Sequence, residues 1–187
     1  MRFHIVHLAV TCVLSLGCSS ETVEDKGTSE GGDSIPSETI EYYEGTSEGM
    51  AGMYAFEGHD VARRTLQRES SSIVERFYDL VDGNIYEVQM DIDLETQTFT
   101  LAFTDGSYEG TGQLYGDAWD WHAWESVSVA PNGDTVVSED TKDDSGIVAT
   151  KICTGADGQE KWRMEEVLVP ISETEWLDFE EEWQALQ

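Results

Sequence analysis

Four Asx-Gly dipeptides set the frame for the folded part of this chain. Asp82-Gly83, Asp105-Gly106, Asn132-Gly133 and Asp157-Gly158 punctuate it at intervals of about 25 residues. Such pairs accept left-handed backbone at the centre of a tight turn, the geometry that closes a β-hairpin. Between them lie runs rich in Val, Ile, Thr and aromatic residues: IYEVQMDID, TFTLAF, SYEGTGQLY, WHAWESVSVA, DTVVSEDT, IVATKICT and EKWRMEEVLVP. In TFTLAF, Phe99, Leu101 and Phe103 share one face and Thr98, Thr100 and Ala102 the other, a period of two. Strand-plus-turn spacing without intervening helices predicts an all-β antiparallel meander over residues 50–187. Closing it into a small barrel of roughly eight to ten strands removes the exposed edges.

Two segments need separate treatment. Ser71–Gly83 fits a helix, with Ser72 and Glu75 as a capping box, or a strand feeding the Asp82-Gly83 turn. Its Ile73, Val74, Phe77, Tyr78 and Val81 favour the strand. After Pro170, Ser172 and Glu175 form a second capping box, with Ile171 and Trp176 as the staple. Trp176, Phe179, Trp183 and Leu186 then recur along one face. This is a C-terminal amphipathic helix, expected to pack on the barrel or over its end.

The N-terminus reads as an address. Arg2 supplies a basic start, residues 5–16 are apolar, and Ser15 and Gly17 are small residues ahead of Cys18. Residues 1–17 are therefore expected to be a secretory signal peptide. With Cys18 directly after the cleavage point, LSLGC resembles the lipobox of bacterial lipoproteins. That resemblance implies lipidation of Cys18, and Ser19 after it favours the outer membrane. The plainer alternative is an ordinary signal peptide that leaves Cys18 as a free thiol. From Cys18 to Gly49 the composition is Ser, Thr, Gly and Glu, with GTSEG twice. Residues 18–49 are expected to form a disordered acidic tether, with IEYYEG, Ile40 to Gly45, docking on the domain.

A formal net charge of -29 repels phosphate, so nucleic acid is excluded as a partner. The cysteines Cys12, Cys18 and Cys153 show no CxxC or Cys/His spacing for zinc. Glu139, Asp140, Asp143 and Asp144 are an oxygen-rich set that could hold calcium but lack EF-hand spacing. No nucleophile-elbow, zincin, phosphate-loop or dinucleotide motif is present, so the sequence supports neither a catalytic residue nor a cofactor. One aromatic cluster stands out, in YGDAWDWHAWES. Strict alternation would put Trp119, Trp121 and Ala123 on one face and Asp120, His122 and Trp124 on the other. Such a strand could line a pocket for a small apolar ligand, or simply fill a core. Lys151, Lys161 and Arg163 would share a positive face if their strands pair. Arg63, Arg64, Arg68 and Arg76 would answer the acidic C-terminal helix.

The hairpin YEGTGQLYGDAWDWHAW, Tyr108 to Trp124, and the late strand MEEVLVPIS, Met164 to Ser172, resemble bacterial lipocalin-like domains. The resemblance spans about Ile85 to Ile171. GMYAF, Gly52 to Phe56, lacks the Trp of the early lipocalin G-x-W. What it implies is a small barrel with room for a ligand. The combined expectation is an outer-membrane-anchored lipoprotein binding a small apolar ligand near Trp119, Trp121, His122, Trp124 and Arg163. Its partners would be the membrane, through the lipid on Cys18, and that ligand. The alternative is a non-catalytic interaction lipoprotein, its barrel filled and its acidic surface facing a partner.

Overall fold

The computed structural model describes residues 36–187. The signal-peptide expectation, Cys18 and the first part of the expected tether lie outside the described residues. Ten strands follow one another: β1 (Glu38–Ala51), β2 (Tyr54–Gln67), β3 (Ser72–Asp79), β4 (Ile85–Asp93), β5 (Thr98–Phe103), β6 (Glu109–Asp117), β7 (Asp120–Val129), β8 (Thr135–Asp143), β9 (Gly146–Thr154) and β10 (Glu160–Pro170). Each pairs antiparallel with the next, and β1 pairs with β10, so the meander closes into a barrel without an edge. One helix among the described residues, α1 (Glu173–Gln184), follows β10.

The four dipeptides do close hairpins. Gly106 has φ +74° and Gly133 +85°, as such turns require. Aspartates brace these and other turns: Asp105 Oδ1 accepts from the Ser107 N–H at 2.8 Å, and Asp157 Oδ1 from Gln159 at 3.0 Å. Part of the acidic composition is thus turn chemistry. Ser71–Gly83 contains strand β3, as its β-branched and aromatic residues indicated.

The expected tether is corrected at its C-terminal end. Residues 38–49 are most of β1, which pairs with β2 along its whole length and with β10 from Tyr43 to Ala51. Low-complexity composition misled because the small residues serve packing. Every second residue of β1 faces the interior: Glu41, Tyr43, Gly45, Ser47 and Gly49. A Cβ on Gly49 would lie 2.3 Å from the Phe56 ring, and one on Gly45 2.4 Å from Asp60 Oδ1. The second GTSEG is therefore the small half of a large-against-small interior. Gly112 on β6 does the same under Phe99, whose ring occupies the place of the missing side chain.

Helix α1 lies on the outer wall of β1–β3. Its capping box is formed, with Ser172 Oγ accepting from the Glu175 N–H and Glu175 accepting from the Ser172 N–H. Trp176 is buried against Tyr42 and Tyr78, with ring centroids 5.2 and 5.7 Å away. Trp183 Nε1 donates to the Gly83 carbonyl at 3.0 Å, tying the helix to the β3–β4 turn. No helix among the described residues is long and apolar enough to cross a membrane.

Candidate functional site

The barrel interior is the place to look for chemistry, and it is not purely apolar. One sector holds Phe99, Leu101, Phe103, Tyr108, Trp121 and Trp124. Phe99 stacks on Trp124 with centroids 4.8 Å apart, and Trp121 lies 6.2 Å from Trp124. The other sector holds charges. Lys151 Nζ donates to Glu166 Oε2 at 2.7 Å, and both side chains are 0% exposed. Arg64 faces Glu41 at 3.6 Å, and the strand register sets it between Glu41 and Glu75. Tyr43 Oη donates to Glu41 Oε2 at 3.1 Å. Ser138 Oγ donates to Asp140 Oδ1 at 2.6 Å.

Carboxylates outnumber cations in this buried set, and their acidity responds. Burial raises Asp140 to about 7, against the opposing pull of Lys151 and the Ser138 hydrogen bond. Burial also pushes Asp60 well above the usual carboxylate range, reinforced by Glu166 and opposed by Lys151. Glu41 moves upward for the same reason, with Arg64 opposing. Withdrawing a charge from water favours the neutral acid. The interior therefore holds protons at pH values where surface carboxylates do not.

Of the expected ligand residues, Trp121 and Trp124 meet in the core with Trp119 packed against it, while His122 and Arg163 lie outside. β7 carries a bulge: Gly116 pairs with Trp121 and Tyr115 with Ala123, leaving His122 as the extra residue. The bulge breaks the alternation, so Trp121 and Trp124 both point inward and His122 is exposed. Trp119 sits in the β6–β7 turn under the Arg68 guanidinium, 5.4 Å from the ring centroid. Arg163 is on the outer face, bound to Glu160 at 2.7 and 2.8 Å. The shared positive face does not exist, because Lys151 points inward while Lys161 binds Asp134 outside that core. The arginine expectation is also revised. Arg64 is an interior residue and Arg76 pairs with Glu87 on the neighbouring strand, so neither answers α1.

The oxygen-rich set is split by strand geometry. Glu139 faces out and Asp140 faces in on β8, while Asp143 Oδ1 accepts from Ser145 in the next turn. Among the described residues no three His, Cys, Asp or Glu side chains converge in a way that could hold a metal. Cys153 is a free, buried thiol. Burial pushes it up, away from the reactive thiolate.

The buried charges Glu41, Asp60, Arg64, Glu75, Asp140, Lys151 and Glu166 were missed from sequence. A pattern did mark them. In β9, Ile147, Ala149, Lys151 and Cys153 share one face; in β10, Met164, Glu166 and Leu168 do. A charge in phase with the apolar face of a strand is an interior charge.

Outside the barrel, a groove of ≈ 680 Å³ runs over β4–β8, with Asp91, Asp93, Thr100, Thr111, Val127 and Val137 in its lining. It forms where small outward side chains on β5 and β6 lie between bulkier ones on the flanking strands. No family model matches the chain, and no curated protein is similar to it.

Proposed function

We propose that the chain is a non-catalytic interaction protein: a filled barrel that works through its outer wall, held at a membrane by its N-terminal segment. The observation that carries this reading is the state of the interior. Tyr43, Ala62, Arg64, Glu75, Val88, Ile147, Ala149, Lys151, Glu166 and Leu168 are all 0% exposed. None of them therefore borders a space that a water molecule could occupy. Ten strands enclose more room than eight, and here Trp121, Trp124, Arg64 and Lys151 take it up. A small apolar ligand would also have to displace paired charges rather than fill a dry cavity. The outer wall carries exposed Glu125, Glu139 and Glu165 at mid-strand, a surface suited to water rather than hydrocarbon.

Two measurements test the reading. Titrating the protein with a fluorescent fatty acid should leave Trp121 and Trp124 emission unchanged. Saturable quenching at one ligand per chain would restore the carrier of a small apolar ligand. For the anchor, Cys18→Ser should release the protein from the membrane fraction and remove any lipid mass. A variant still membrane-bound at unchanged mass would show that Cys18 is not the attachment point. Attachment through Cys18 and placement in the outer membrane belong to this proposal; the first stands on the lipobox-like LSLGC and the second on Ser19 after it.

A further inference from the structure

Two outward rows run side by side across the barrel wall. In one, Val127, Val137 and Ile152 are direct cross-strand neighbours on β7, β8 and β9, and they are 46%, 40% and 38% exposed. In the next, Glu125 faces Glu139, and past Thr150 the row continues through Glu165, Glu48 and Glu57. Like charges directly opposite one another destabilise a sheet, and no Lys or Arg among the described residues forms an ion pair with these glutamates. The cations near this wall are engaged elsewhere: Arg163 with Glu160 and Lys161 with Asp134. At one end the two rows run into the groove, where Asp93 continues the glutamate row through Thr98 and Gln113 and Asp91 closes the end of the valine row beyond Thr100 and Thr111.

We infer that this face of β5–β9 docks a cationic amphipathic segment of another protein, with aliphatic side chains on Val127, Val137 and Ile152 and Lys or Arg against the glutamates. The inference rests on the filled-barrel reading and adds the partner's chemistry. Charge complementarity selects the occupant. Glu125 accepts from the Tyr115 hydroxyl, yet none of these carboxylates has a cation beside it among the described residues, so an apolar row bordered by them repels an anionic lipid surface and a second copy of this acidic chain, and it attracts a basic one. An extended segment lying edge-on along the rows sends alternate side chains to opposite sides, so its apolar residues reach the valine row and its basic residues the glutamate row.

The test uses the full chain and a fluorescein-labelled peptide of alternating Lys and Val, about twelve residues long. Anisotropy titration should show binding that weakens in about 0.5 M NaCl. Affinity should fall roughly tenfold in Val127→Thr/Val137→Thr and by a similar factor in Glu125→Gln/Glu139→Gln. An alternating Glu-Val peptide should not bind, and polylysine should bind more weakly. The valine changes are shape-conserving at exposed sites, and the glutamine changes remove a repulsion, so Tm should hold or rise. The inference is overturned by absent binding, by unchanged affinity in either double variant, or by polylysine binding as tightly. It is also overturned if sedimentation velocity shows a dimer of the chain that the valine substitutions dissolve. Failure of the filled-barrel reading would appear separately, as fatty-acid quenching of the interior tryptophans, which these surface substitutions do not touch.

Discussion

Replacing Lys151 by Met is expected to destabilise the barrel by about 3–5 kcal/mol, read from urea unfolding. Lys151 and Glu166 are both fully buried and joined at 2.7 Å. Removing the ammonium leaves a carboxylate in the core without its closest compensating charge, and leaving one member of a buried pair behind is what costs most. Lys151→Met/Glu166→Leu should recover more than half of the loss, since an apolar pair of similar size needs no compensation. The single-variant loss should also grow with pH. Lys151 opposes protonation of both Asp60 and Asp140, and without it the core favours neutral acids that the unfolded chain gives up more readily. A loss below about 1 kcal/mol, or no recovery in the double variant, would mean that Lys151 does not hold this core together.

The same residue shows how far the sequence could be read. Alternation in TFTLAF and the Asx-Gly turns were enough for the meander, its closure and its hairpins, because both signals are local and periodic. Two kinds of position defeated local reading. Gly45 and Gly49 look like a flexible tether in isolation; their smallness makes sense only beside Asp60, Leu168 and Phe56 across the strands. His122 shifts the phase of its strand, and a one-residue bulge sends Trp124 to the opposite face from the one alternation assigns. Lys151 falls between these cases. Its in-phase position beside Ile147, Ala149 and Cys153 was legible, but a charge on an inward face was not credible without Glu166, supplied by a strand whose register the sequence does not state.

The pairing of too many acids with too few bases makes stability depend on pH in a defined direction. Asp140 faces Ser138 on its own strand, Trp124 on β7, Lys151 on β9 and Glu166 on β10. Its carboxyl titrates at about 7 in the fold, against about 4 in an unfolded chain. Between those values the native state holds a proton that the unfolded state has lost, so stability falls as pH rises from about 4 to about 7 and then levels off. The Asp140 contribution is on the order of 4 kcal/mol, fully present below the window and gone above it. Asp60 and Glu41, also raised, act in the same direction. The turn aspartates oppose it only at lower pH. Asp93 is held down by the Thr96 and Glu95 N–H groups and Asp143 by Ser145, so they favour the fold above their titration and lose that effect as pH falls below about 4. Asp140→Asn separates the buried acid from the general repulsion of a chain at -29, which both proteins share. Asparagine mimics the protonated acid and can still accept from Ser138. At pH 4.5 the variant should match the parent; at pH 8 it should be the more stable protein, with a flatter slope between. Parallel stability curves for the two proteins across this window would place the proton elsewhere in the core.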